Sequence, residues 1–269
     1  MLNFLDTYSL IKGNAAFGVE LIYNSKDNYT LIALELTRKK EGIEVSRRFV
    51  DSTFEVLAKE NKKKIPLYLS IGGKGVIHKK VNYDEYTQEQ GLLSNVLPNA
   101  SLNDFYVQQS ITSNDTCWVS VIRKDVLDPL IEKLQSLQLF GIQIYLGPFI
   151  LENCIPLLDK SVVLTTSHEL IVENENITQL DSLGSVSGGE EYDIEGEVVN
   201  SHELIAFGTA LAHFIPLENL LPLKQETVIA TKEEYYHRNK FVAISFSAIV
   251  FFFMVALINF LLLNSLKST

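Results

Sequence analysis

Apolar positions recur at two periods along most of this chain, and near its end the alternation stops. The first half opens with strand-like runs. Ala16–Tyr23, Tyr29–Thr37 and Ile43–Val50 are separated by the polar turns Asn24–Asn28 and Lys39–Gly42, a spacing that predicts an antiparallel meander. Asp51 or Ser52 is placed to cap a helix that runs out at Lys62-Lys63-Lys64. Strands are predicted at Ile65–Ile71 and Val76–Val81 around the turn Gly72-Gly73-Lys74-Gly75, then a helix over Tyr83–Leu97. Asp104–Thr112 and Thr116–Arg123 predict a hairpin. Over Lys124–Phe140 the apolar residues Val126, Leu127, Leu130, Ile131, Leu134 and Leu137 fall at helical spacing, and Gly141 closes the helix.

The second half repeats the mixture. Ile142–Leu146 reads as a strand and Phe149–Leu158 as a short helix. Ser161–Thr166, Glu169–Glu173 and Thr178–Leu180 read as strands, and Asp181–Glu197 as an exposed acidic loop. Asn200 or Ser201 caps a helix at His202–Phe214. Residues 1–12 form a short amphipathic helix or an irregular arm. Strands, helix and strands on both sides of residue 150 predict an α/β domain of two lobes, about 1–150 and 151–215.

Phe241–Leu263 breaks with all of this. Its 23 residues carry no charge and no proline. As a helix they extend roughly 34 Å, enough for a hydrocarbon core of about 30 Å. Asn259 is the polar residue most costly there, and the expectation is that it faces a partner helix. Lys232, Arg238 and Lys240 precede the span and only Lys267 follows it. Arg238 and Lys240 therefore predict, by the positive-inside rule, that residues 1–240 are cytoplasmic and 264–269 an outer stub. The expected organisation is a cytoplasmic domain at 1–215, a docking peptide and linker at 216–240, and one membrane helix at 241–263.

Charge and candidate chemistry change the picture little. The net charge of -10 argues against a nucleic-acid partner. Cys117 and Cys154 form no CxxC and are expected to be free and buried. The five histidines show no metal-ligand spacing, and no GxSxG is present. Gly72–Gly75 lacks the strand-to-helix setting of a phosphate loop, because a strand-like run follows it. Glu190, Glu191, Asp193, Glu195 and Glu197 lack the oxygen-ligand spacing of a calcium loop. No cofactor, metal or catalytic residue is expected.

Leu217-Glu218-Asn219-Leu220-Leu221-Pro222-Leu223-Lys224 is the more specific stretch. A short apolar peptide ending in proline cannot continue a helix and can lie extended in a groove, where Leu220 and Leu221 are expected to be buried and the Asn219 amide to meet backbone groups. With the charged residues and single span that follow, Asn219-Leu220-Leu221-Pro222 resembles the start of PilN proteins of type IV pilus platforms. In that family such a peptide docks on the actin-like protein PilM. Three further stretches resemble PilM itself: Leu69–Lys80, Val121–Leu146 and Leu204–Ala212. A PilM–PilN fusion is the architecture of GspL of type II secretion systems.

The resemblance implies a reduced two-lobed actin-like fold, and a non-catalytic scaffold in a bacterial inner membrane. The implied partners are the membrane, other platform subunits and a cytoplasmic assembly ATPase. A homo-oligomer through the membrane helix is a further expectation. Two departures stand out. The D-x-G phosphate turns of actin-like ATPases are missing after Phe17–Ile22 and at Ser161–His168, so decayed nucleotide binding is expected. The family continues beyond the membrane into further domains, where this sequence has only Asn264–Thr269. Either another chain supplies that part or the sequence is a truncated form. A membrane-anchored actin-like ATPase or sugar-kinase-like enzyme, and an unrelated tail-anchored adaptor, remain the alternatives.

Overall fold

β1 (Ala15–Ser25), β2 (Asn28–Arg38) and β3 (Ile43–Phe49) form the expected meander, with β1 pairing β2 and β2 pairing β3 antiparallel. The structure is a computed structural model and describes residues 12–25, 28–82, 88–112, 116–183 and 189–268. Residues 1–11 of the expected N-terminal arm, 83–87 of an expected helix and 184–188 of the expected acidic loop lie outside it. β1 is buried on both faces from Ala16 to Tyr23, which explains its nearly continuous apolar run.

α1 (Phe54–Glu60) carries the chain across to β4 (Leu67–Gly73), which lies parallel to β1. Its cap is Thr53, whose Oγ1 accepts from the Val56 N–H at 3.3 Å, and not Asp51 or Ser52. Asp51 stands at φ 50°, which ends β3 instead of starting the helix. The expected glycine turn follows β4, yet β5 (Val76–Asn82) does not fold back on it. β5 pairs with β7 in a different sheet, so the turn passes the chain between two sheets. Gly73 is required there: at φ 83° a Cβ would come within 2.4 Å of the Tyr23 carbonyl oxygen.

α2 (Glu89–Val96), β6 (Phe105–Ile111), β7 (Thr116–Arg123), α3 (Lys124–Ser136) and β8 (Gly141–Leu146) complete the first half. The main sheet has the order β3-β2-β1-β4-β8, and the second the order β5-β7-β6. α3 buries Leu127, Leu130, Ile131 and Leu134, the face expected from their spacing, against Val19, Leu21, Leu69 and Ile144. Pro129, expected in the first turns, is the sixth residue of α3 and lies inside the helix, where it offers no N–H to the Asp125 carbonyl.

A 3-10 turn (Pro148–Asn153) and α4 (Ile155–Leu158) replace the single short helix expected over Phe149–Leu158. Two prolines at the start of successive turns break the run. β9 (Val162–Leu164), β10 (His168–Glu173) and β11 (Asn176–Ser182) form a third sheet. The segment expected as a loop up to Glu197 contains a hairpin of β12 (Glu191–Ile194) and β13 (Glu197–Asn200), with Tyr192, Ile194 and Val199 buried. Its alternation was hidden by exposed acidic residues. α5 (Leu204–Leu211) starts after Glu203 with no side-chain cap, not at a helix capped by Asn200 or Ser201. It lies against β1 at Gly18, where a Cβ would meet the Ala206 carbonyl oxygen at 2.0 Å.

α6 (Glu226–Ser268) is one 43-residue helix, so the linker expected up to residue 240 is helical from Glu226 onward. Contacts group the described residues into one unit at Ala15–Lys232 and another that joins residues 12–14 to 233–268. In the first, Val228 of α6 belongs to the main core. In the second, the Tyr235 hydroxyl donates to the Lys12 carbonyl at 3.1 Å. The expected α/β class and C-terminal apolar helix are both present.

Candidate functional site

Residues 219–223 run extended between two sheet edges, because Pro222 offers no N–H and biases Leu221 away from helix. On the β6 edge, Leu220 bridges Ser110 antiparallel, and the Ile111 N–H donates to the Asn219 carbonyl at 3.0 Å. On the β8 edge, the Leu223 N–H donates to the Ile144 carbonyl at 2.8 Å. The segment thus links the edges of two sheets that otherwise end there.

Two side chains fasten it. Gln108 is buried; its Nε2 donates to the Leu221 carbonyl at 2.6 Å, and its Oε1 accepts from the Leu146 N–H at 2.6 Å. One carboxamide therefore satisfies both a β8 end and the segment. Glu152 Oε1 accepts from the Asn219 N–H and from Asn219 Nδ2, both at 3.0 Å. These are charge-assisted bonds, stronger than neutral ones.

The four residues singled out in the sequence are placed differently from one another. Leu220 is 1% exposed and Leu223 4%, the latter in the main core. Leu221, expected beside Leu220 in the groove, is 61% exposed. In an extended segment successive side chains point to opposite sides, so adjacent leucines cannot share one groove. The Asn219 amide meets a carboxylate, where backbone partners were expected. Gln108 and Glu152 were not foreseen, because nothing local marks a glutamine or a glutamate as the partner of a segment more than 60 residues away.

A second feature is an open cleft of about 800 Å³, lined among others by Asn24, Thr30, His78, Trp118, Thr166 and His168. The stretches that lack D-x-G, after β1 and between β9 and β10, both reach it. No glycine stands at either stretch; the glycine that lines the cleft is Gly73, in the turn after β4 and beside Lys74. Burial pushes the His78 imidazole down to about 3, with His168 adding a smaller effect, and burial lowers His168 as well. Both rings are neutral near pH 7 and bring no charge to an anion. His78 Nδ1 pairs with Ser120 Oγ at 2.8 Å, and His168 Nδ1 with Ser167 Oγ at 2.9 Å.

Behind the cleft, Glu20 is 2% exposed, and burial raises its pKa to about 8, against the bond to Thr166. Thr166 Oγ1 lies 2.9 Å from Glu20 Oε2 and 3.0 Å from the His202 carbonyl. A hydroxyl has one proton for these two acceptors. A protonated Glu20 resolves this by donating to Thr166, whose own proton goes to His202. Cys117 and Cys154 are free and buried as expected, and burial pushes their thiols up to about 11 and about 12. Neither is a thiolate nucleophile at neutral pH. Among the described residues no group of three or more His, Cys, Asp or Glu could hold a metal.

The third feature is α6. It is the one helix among the described residues long and apolar enough to cross a membrane, and its most apolar window is 0% buried. Arg238 and Lys240 are exposed on it ahead of the apolar stretch, and Asn259 is exposed within that stretch.

No protein-family model matches the chain, and no curated protein sequence matches it. Solved structures similar to this chain include the following three. The cytoplasmic domain of EpsL, an inner membrane component of the type II secretion system of Vibrio cholerae, is 12% identical, with 63% of this chain and 71% of that one covered at a TM-score of 0.45. A PilM–PilN type IV pilus biogenesis complex is 11% identical over 87% of this chain and 75% of that one, at a TM-score of 0.45. A Bacteroides thetaiotaomicron protein of actin-like ATPase fold and unknown function is 11% identical over 70% and 74%, at a TM-score of 0.37.

Proposed function

We propose that this chain is a non-catalytic scaffold subunit of a type IV pilus-like or type II secretion-like machine, held in a bacterial inner membrane by α6. Residues 1–240 lie in the cytoplasm and connect cytoplasmic components, an assembly ATPase among them, to membrane and periplasmic partners. The observation that carries this reading is the stitched segment leading into a helix whose C-terminal part is apolar. Leu223 is bonded to β8, and α6 begins three residues later. A load on the helix therefore reaches two sheet edges through Asn219, Leu220, Leu221 and Leu223. The machine class comes from the PilN-like and PilM-like motifs.

Nucleotide binding discriminates this from a membrane-anchored actin-like ATPase or sugar-kinase-like enzyme, a reading the open cleft favours. Titration of the detergent-solubilised chain with Mg-ATP is expected to give no heat of binding. A micromolar Kd, about -8 kcal/mol, would overturn the expectation of decayed nucleotide binding.

The orientation has its own test. A cysteine replacing Ser268 should react with a membrane-impermeant maleimide added outside intact spheroplasts. Labelling only after the membrane is opened reverses the assignment made from Arg238 and Lys240.

A further inference from the structure

We propose that α6 associates in parallel with α6 of a second copy of this chain, with Asn259 of each helix hydrogen-bonded to the other. The proposal rests on the membrane reading above and names the partner of that helix. The apolar window of α6 is wholly exposed, so nothing within the described residues covers it. Two of its polar side chains differ in how they are satisfied. The Ser247 hydroxyl donates back to the Ala243 carbonyl at 2.9 Å and needs no partner. The Asn259 carboxamide is exposed and has no hydrogen-bond partner among the described residues. In hydrocarbon no water is present to satisfy it.

A carboxamide is both donor and acceptor, so its simplest complement is another carboxamide. A parallel second copy supplies one at the same depth; an antiparallel copy does not, because Asn259 lies near one end of the span. The surrounding residues are spaced for such a pair. Ser245, Ala248, Phe252, Val255, Asn259 and Leu262 recur at alternating steps of three and four, the repeat of a left-handed helix pair. Ser245 and Ala248 are small enough for the backbones to approach. On the opposite face stand Val250, Met254, Leu257 and Leu261.

The test uses the full chain in phosphatidylcholine vesicles, with energy transfer between donor- and acceptor-labelled copies. The wild type should dimerise. Asn259→Leu should weaken dimerisation about tenfold or more, Asn259→Gln should retain most of it, and Ser247→Ala should leave it unchanged. In membranes, oxidation of Val255→Cys should give a disulfide-linked dimer and oxidation of Leu257→Cys should not. Each variant is also washed with carbonate. A chain that stays in the membrane but is monomeric, or whose Asn259→Leu variant dimerises as well as wild type, overturns the proposal and leaves the membrane reading standing. Equal cross-linking at 255 and 257 overturns it too. A chain released by carbonate overturns both.

Discussion

Replacing Leu220 and Leu223 together by serine should lower the unfolding temperature of the chain by about 10 °C. Truncating a buried leucine is destabilising by roughly 2–5 kcal/mol, and a domain of this size shifts by about 2–4 °C per kcal/mol. The loss is capped, because a weakened segment can leave its groove while the sheets persist, and what remains missing is the free energy of docking. Release also strips partners from Gln108, whose buried Nε2 would lose the Leu221 carbonyl, and from the Ile144 carbonyl. Trp118 is the single tryptophan and is buried, so its fluorescence follows unfolding of the chain in mild detergent. Trypsin should cut faster after Lys224 in the double variant. Leu221→Ser is the control: its side chain is 61% exposed, and its effect should stay within about 0.5 kcal/mol. An unchanged melting curve and unchanged cleavage in the double variant would reduce the segment to a tether.

Glu20→Gln should stabilise the chain at pH 8 and have almost no effect near pH 4.5. The folded carboxyl has its pKa raised to about 8 from an ordinary value of 4.5, chiefly by burial. Between those two values the folded state holds a proton that the unfolded state has released. Stability therefore falls as pH rises through that window, and the loss is complete above it. At about 1.4 kcal/mol for each pH unit, the full loss is on the order of a few kcal/mol. A glutamine amide can donate to Thr166 as the protonated acid does, and it does not titrate. The melting temperatures of variant and wild type should diverge by several degrees between pH 5 and pH 8, with the variant higher. Parallel curves across that range would mean that Glu20 is ionised in the folded chain and that Thr166 donates to it.

The two results probe features of unequal legibility. The extended run at Leu217–Lys224 was visible because proline excludes a helix and the apolar residues are dense. Which leucines turn inward was not visible. The alternation of an extended chain assigns Leu220 and Leu221 to opposite sides, but only the positions of the β6 and β8 edges decide that Leu220 and Leu223 are the buried ones. Glu20 sits in an apolar run, Ala16–Tyr23, and reads as an ordinary alternating polar position. Its burial follows from a cover of Thr166 and the His202 carbonyl, brought from more than 140 residues away.

By itself, the sequence determined the elements whose physics is local: the meander of β1 to β3, the buried face of α3, and the uncharged length of α6. Each rests on a period, a turn or a hydrophobic run contained within a few tens of residues. The acidic hairpin β12–β13 escaped because its exposed carboxylates masked three buried positions. Tertiary structure alone decided that the glycine turn after β4 changes sheets, that Gln108 and Glu152 hold the segment, and that β6 and β8 present edges to be joined. Those outcomes depend on hydrogen-bond partners far apart in the chain, and no local pattern of apolar and polar residues specifies which distant donor will meet which acceptor.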